Sequence, residues 1–224
     1  MIGTGVLAAA VLLAGVAAPY GRYSASGWGP LIPARLAWLV RATQEIWSLA
    51  VPVVWLAFFA TDSQLQRVSS PANLALLGAF LVHYIHRDLI YPFRIVPGRP
   101  TPLVVWASAA FFCIFNGYLQ TRYLLCDAPG GPLGPRHALG LALWAAGFAI
   151  NLQSDSLLIR QRRAKRAKDG GYSIPHGGLF GLVSCANYFG EVVEWAGWAL
   201  AGASLPAAAF ALFTAANLVP RCAG

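Results

Sequence analysis

The stretch Tyr172–Trp195, YSIPHGGLFGLVSCANYFGEVVEW, decides how this chain is read. Its first part has loop character: Pro175 bars a regular helix start, and Gly177-Gly178 widens the backbone's choices. Its second part predicts a mostly apolar helix that still carries Asn187, Glu191 and Glu194. The spacing i, i+4, i+7 places all three on one face. Carboxylates in a membrane-like helix are costly unless they are paired or used. The rest of the sequence must supply the helices that enclose this polar face.

Composition agrees. The chain is 58% hydrophobic and only 11% charged, with a mean hydropathy of +0.58. A soluble domain carries about 25% charged residues, so an all-α integral membrane protein is expected. The net charge is +8, and six basic residues crowd between Arg160 and Lys168. In a membrane protein such a block marks a cytoplasmic loop rather than a nucleic-acid surface. Cys113, Cys126, Cys185 and Cys222 lack metal-ligand spacing and read as unpaired thiols. His83 and His86 form neither HxxxH nor HExxH, so no metal is expected.

Seven apolar segments are expected: Ile2–Pro19, about Ala34–Ala60, Asn73–Ile95, Leu103–Leu125, Ala138–Ile159, Gly178–Ala201 and Leu205–Val219. The first has no basic n-region and is read as a retained span. The second holds Arg41 and Glu45 four residues apart, either a local ion pair or a carboxylate facing a cavity. Pro52 predicts a kink. In the third, Tyr84, Arg87, Asp88 and Tyr91 share a face too polar for lipid. Asn116 and Gln120 in the fourth suit helix–helix adhesion. Asn151, Ser154 and Asp155 share a face of the fifth.

Seven spans put the termini on opposite sides. Arg87, Arg94, Arg99 and the 160–168 block then lie with the C-terminus in the cytoplasm. The chain shows no internal repeat and is read as one domain, 1–224. Acidic, amide and tyrosyl groups beside many arginines suit a phosphate-bearing ligand. No GxGxxG follows a strand, so a nucleotide would bind outside a Rossmann fold. Glu45 and Tyr84, on helices with apolar neighbours, suit a lipid or steroid carbonyl. A carboxylic acid in such surroundings stays neutral and can donate a hydrogen bond.

NLQSD (Asn151–Asp155), YSIPHGGLF (Tyr172–Phe180) and SCANYFGEVVEW (Ser184–Trp195) together resemble the membrane steroid 5α-reductases. HYIHR (His83–Arg87) with YPFR, PARLAW…QE…AVP (Pro33–Pro52), NGYLQ (Asn116–Gln120) and NLVPR (Asn217–Arg221) fit as well. The APYGRY…GWGP connector and NLVPR look closest to the plant, brassinosteroid-type branch.

The resemblance implies a seven-transmembrane helix bundle of the endoplasmic reticulum, working as a monomer, that encloses a cavity for NADPH and a steroid. It implies reduction of the C4–C5 double bond of a 3-oxo-Δ4-steroid. By the same resemblance, Glu45 and Tyr84 hold the 3-keto oxygen. Asn151, Asp155, Tyr172, Asn187, Glu191 and Arg221 line the NADPH cavity, with Arg87, Arg99 and Arg162 as basic residues on the cofactor side.

This chain departs from the family pattern in places. Ser173 stands at a position that is usually basic, and Arg162 and Arg163 compete for one role. The family also continues past Arg221 into a cytoplasmic tail that touches the cofactor. The alternatives are an enoyl-CoA or polyprenol reductase of the same superfamily, an inactive truncated membrane protein, and a transporter.

Overall fold

A computed structural model describes residues 29–97, 100–166 and 175–222. The expected span Ile2–Pro19 and the candidates Arg99 and Tyr172 lie outside the described residues. The chain divides into two compact units, Ala18–His137 and Ala138–Gly224 with Met1–Ala17.

The first unit opens on β1 (Leu31–Ile32), which pairs antiparallel with β2 (Thr101–Pro102). This short clip is the one departure from all-helical structure among the described residues. Next come α1 (Ala37–Glu45) and α2 (Trp47–Val54), separated at Ile46. Pro52 sits inside α2, but the helical pattern breaks at Ile46, not at the proline. A π-helical turn, Trp55–Phe59, continues α2.

Helix α3 (Asp62–Val68) starts on a capping box: Gln64 N donates to Thr61 Oγ1 at 3.4 Å, and Thr61 N to Gln64 Oε1 at 3.1 Å. Two of the helix's orphan N-terminal groups are thereby satisfied. Helix α4 (Pro71–Ile85) follows, with Pro71 suited to its first turn, and runs into a π-helical turn, His86–Ile90. Helix α5 (Leu103–Arg122) ends in another, Tyr123–Asp127. It packs close to α2, because a Cβ on Gly117 would stand 3.1 Å from Ser48 Cα and 3.2 Å from Trp47 O.

Among the described residues, two stretches are long and apolar enough to cross a membrane, Ala34–Phe59 (26 residues) and Leu103–Asp127 (25 residues). Asp62–Val68 and Pro71–Phe93 meet at 83°, as in a broken span or a re-entrant loop. These stretches mark the protein as membrane-associated. Phe58, Phe59 and Phe111 are each over 70% exposed, as lipid-facing side chains should be.

The second unit contains most of α6 (Pro135–Arg166), then a 3-10 turn (Gly178–Gly181), α7 (Ala186–Gly202) and α8 (Leu205–Leu218). Helix α7 therefore starts later than the expected Gly178. Gly177 and Gly178 take positive φ values of 94° and 52°, and Cys185 is non-helical at φ −121°, ψ 56°, so the chain turns before it coils. Helices α6 and α7 meet along glycines. A Cβ on Gly140 would lie 2.6 Å from Gly197 O, and one on Gly190 2.8 Å from Gly147 O. Trp195 packs on Phe210 of α8 with ring centroids 4.4 Å apart.

Candidate active site

In the first unit, Glu45 closes α1 with both oxygens engaged. Oε1 accepts from Arg41 Nη1 at 3.2 Å and Gln44 Nε2 at 3.3 Å; Oε2 accepts from Arg87 Nε at 3.1 Å. The Arg41 pair was legible in the i, i+4 spacing; the Arg87 pair joins residues 42 apart and needs the fold. Glu45 therefore does not sit among apolar neighbours offering a proton, as the sequence suggested. It is an acceptor held by two guanidinium groups.

Arg87 also lies over the Tyr91 ring, 5.0 Å from its centroid. Tyr84, only 4% exposed, shares a hydrogen bond with Ser48 and lies within electrostatic range of Glu45. Ser48, fully buried, donates to the Cys113 carbonyl at 3.1 Å. Glu45, Tyr84 and Arg87 are thus one cluster, and Ser48, which the sequence reading passed over, belongs to it.

Asp88 is the second surprise. It is 0% exposed, and neither carboxyl oxygen has a hydrogen-bond partner among the described residues. Its place on the Tyr84 face was visible in the sequence, but its lack of a partner was not. Close by, Trp38 stacks on Phe93 with centroids 5.9 Å apart, beside a cleft of about 320 Å³ also lined by Pro92, Ile95 and Pro97.

In the second unit, Asn151, Asp155, Asn187 and Glu191 converge. Asn151 Nδ2 donates to Asn187 O at 3.2 Å and to Glu191 Oε2 at 3.4 Å; Asn187 Nδ2 donates to Asp155 Oδ1 at 3.4 Å. Asn151 and Asp155 are buried, while Asn187 and Glu191 are half-buried. The face foreseen on α7 therefore meets the face foreseen on α6. Arg221, 7% exposed, follows α8; burial pulls its guanidinium down to about 10, still charged at neutral pH. Arg162 is exposed on α6 and has no contact with this cluster among those described. Gln120 Nε2 donates to Asn116 Oδ1 within α5 at 2.9 Å. Among the described residues, no group of three or more His, Cys, Asp or Glu could hold a metal.

Polar clusters within a helical fold that holds membrane-length apolar helices are consistent with a membrane helical protein. Comparison with known proteins narrows the class. The family model for 3-oxo-5-alpha-steroid 4-dehydrogenase matches residues 99–224. The chain is 48% identical to 3-oxo-5-alpha-steroid 4-dehydrogenase 1 of Macaca fascicularis, over 87% of this chain and 72% of the relative. It is 46% identical to the Bos taurus protein of the same name, over 94% of this chain and 80% of that one. It is 36% identical to steroid 5-alpha-reductase DET2 of Arabidopsis thaliana, over 95% and 80%.

The chain belongs to the 3-oxo-5-alpha-steroid 4-dehydrogenase family, a family of oxidoreductases. The two stretches that looked plant-like stand within a chain whose identity to these mammalian relatives is higher than to DET2.

Proposed function

We propose that this chain reduces the C4–C5 double bond of 3-oxo-Δ4-steroids, drawing its reducing equivalents from NADPH. The observation that carries this reading is the Glu45–Arg87–Tyr84 cluster, with Tyr84 buried and Glu45 and Arg87 half-buried, in a chain of this family. Tyr84 is the donor aimed at the 3-keto oxygen. Negative charge builds on that oxygen as C5 is reduced, so a donor already in place favours the transition state over the ground state. Glu45 can hold the same oxygen only as a neutral acid that has let go of a guanidinium; otherwise it anchors Arg87. The proton delivered to C4 completes the reduction.

The amide and carboxylate set of Asn151, Asp155, Asn187 and Glu191 fits the ribose hydroxyls and amide of a dinucleotide, and Arg221 adds a buried cation. When bound, the nicotinamide supplies hydride. Tyr172 would complete the nucleotide's lining, and Arg87, Arg99 and Arg162 would face its phosphates. We further propose seven spans in the endoplasmic-reticulum membrane, a cytoplasmic C-terminus and a monomer surrounded by lipid.

The test is to incubate membranes containing this chain with NADPH and a panel of 3-oxo-Δ4-steroids and to identify the products. Formation of 5α-reduced 3-ketones supports the reading. Reduction of enoyl thioesters or polyprenols in their place would replace the steroid, and no consumption of NADPH with any of them would overturn the activity.

A further inference from the structure

Asp88 is fully buried in the π-helical turn His86–Ile90, and both its carboxyl oxygens go unmet among the described residues. Another carboxyl and a hydroxyl of this unit are met. Glu45 has guanidinium and amide donors on both oxygens. Trp106 Nε1 donates to Thr43 Oγ1 at 3.0 Å, and Thr43 in turn donates to Leu39 O at 2.7 Å.

A buried carboxyl without partners is expensive to keep. That cost points to a partner that arrives with the ligand. Its position agrees. Asp88 lies one helical turn, about 6 Å, beyond Tyr84 on the same face. Its turn packs against α1, which carries Glu45. π-helical turns recur at functional sites.

We propose that Asp88 is a specificity-determining contact that accepts a hydrogen bond from a hydroxyl on the bound substrate, set about one helical turn from the ketone. A hydroxyl is the fitting group because a carboxyl accepts from it in either protonation state, whereas a second carbonyl could be met only by the acid form. The inference rests on the ketosteroid reading and narrows it: the preferred substrate is a 3-oxo-Δ4-steroid that carries a ring hydroxyl near the enone end.

The experiment compares a 3-oxo-Δ4-steroid with its 6-hydroxy and 19-hydroxy analogues. Equilibrium binding to membranes, by displacement of the tritiated parent steroid, is measured beside NADPH-dependent turnover. The wild-type chain is expected to bind one hydroxylated analogue about tenfold or more tighter than the parent. Asp88→Ala should abolish that preference and leave parent binding within about twofold; Asp88→Asn, which keeps an acceptor oxygen, should retain part of it.

Loss of an unmet buried carboxyl should raise thermal stability, so Asp88→Ala remains assayable. If the wild type shows no preference, or Asp88→Ala keeps the wild-type preference, the inference is overturned while parent turnover still upholds the ketosteroid reading. If the wild type neither binds nor reduces any of the three, the reading falls and the inference with it.

Discussion

A single methyl group placed on Gly147 tests the α6–α7 packing that brings the amide and carboxylate cluster together. A Cβ there would lie 2.6 Å from Glu194 Cα and 2.6 Å from Gly190 O, and would also strike Glu194 N. Ordinary contact needs at least 3.4 Å. The two helices must therefore part by about 1 Å, and the obstacle is backbone, which cannot swing aside. The cluster's bonds of 3.2, 3.4 and 3.4 Å already stand near the limit. A shift of that size carries them to about 4 Å, where hydrogen bonding is lost.

Gly147→Ala should thus destabilise the protein by about 1–3 kcal/mol and weaken NADPH binding by roughly tenfold or more. The assay is thermal unfolding of detergent-solubilised protein, followed by thiol labelling of its cysteines, alongside cofactor titration. Gly78→Ala is the control, because a Cβ at Gly78 in α4 meets nothing within 4 Å. There the methyl removes only a helix penalty and should stabilise by roughly 0.5–1 kcal/mol. An unfolding temperature for Gly147→Ala equal to that of the wild type would refute the close approach of α6 and α7.

Three more outcomes are expected. Glu45→Gln keeps the shape but strips the charge that Arg41 and Arg87 share, so steroid reduction should fall at least about tenfold while NADPH binding survives; unchanged turnover removes Glu45 from the site. Asn187→Ala and Glu191→Ala each delete one link of the α6–α7 cluster, and each should weaken NADPH binding roughly three- to tenfold in a direct titration. If affinity stays put in both, the polar face only glues helices. Thr61→Ala removes a half of the α3 capping box and should cost about 1 kcal/mol in thermal unfolding, with cofactor affinity unaltered.

The helices were legible because they are long, apolar and bounded by proline and glycine. The predicted span Leu103–Leu125 corresponds to α5 and its π turn, and the polar faces of Asn151/Asp155 and Asn187/Glu191 follow from i, i+4 geometry alone. What escaped depends on tertiary packing. Ile46 has no breaker chemistry, so the interruption after Glu45 has no local signal. The Glu45–Arg87 pair spans 42 residues, and spacing is informative only within a helix. The glycine seam could have been found. Gly140 and Gly147 on α6, and Gly190 and Gly197 on α7, both repeat at seven, the period that keeps small residues on one helix face for close approach.

The two clusters differ in a way that separates adhesive from chemical use of buried polarity. In the second unit, amides and carboxylates satisfy one another across α6 and α7, so the cluster can both fix the helices and offer its remaining lone pairs to a nucleotide. In the first unit, the cluster gathers Arg41, Arg87, Glu45 and Asp88, and its ionic members could be exchanged for apolar residues without loss of stability. The Glu45–Arg87 pair ties α1 to the π turn after α4, while α2 and α5 meet tightly at Gly117 and α1 and α5 are tied by Trp106 and Thr43. Guanidinium groups near a buried phenol suit the proposed role of this cluster at a ketone that gains negative charge. The carboxyl of this cluster that is left without a partner among the described residues is then the place to look for what distinguishes this chain's substrate.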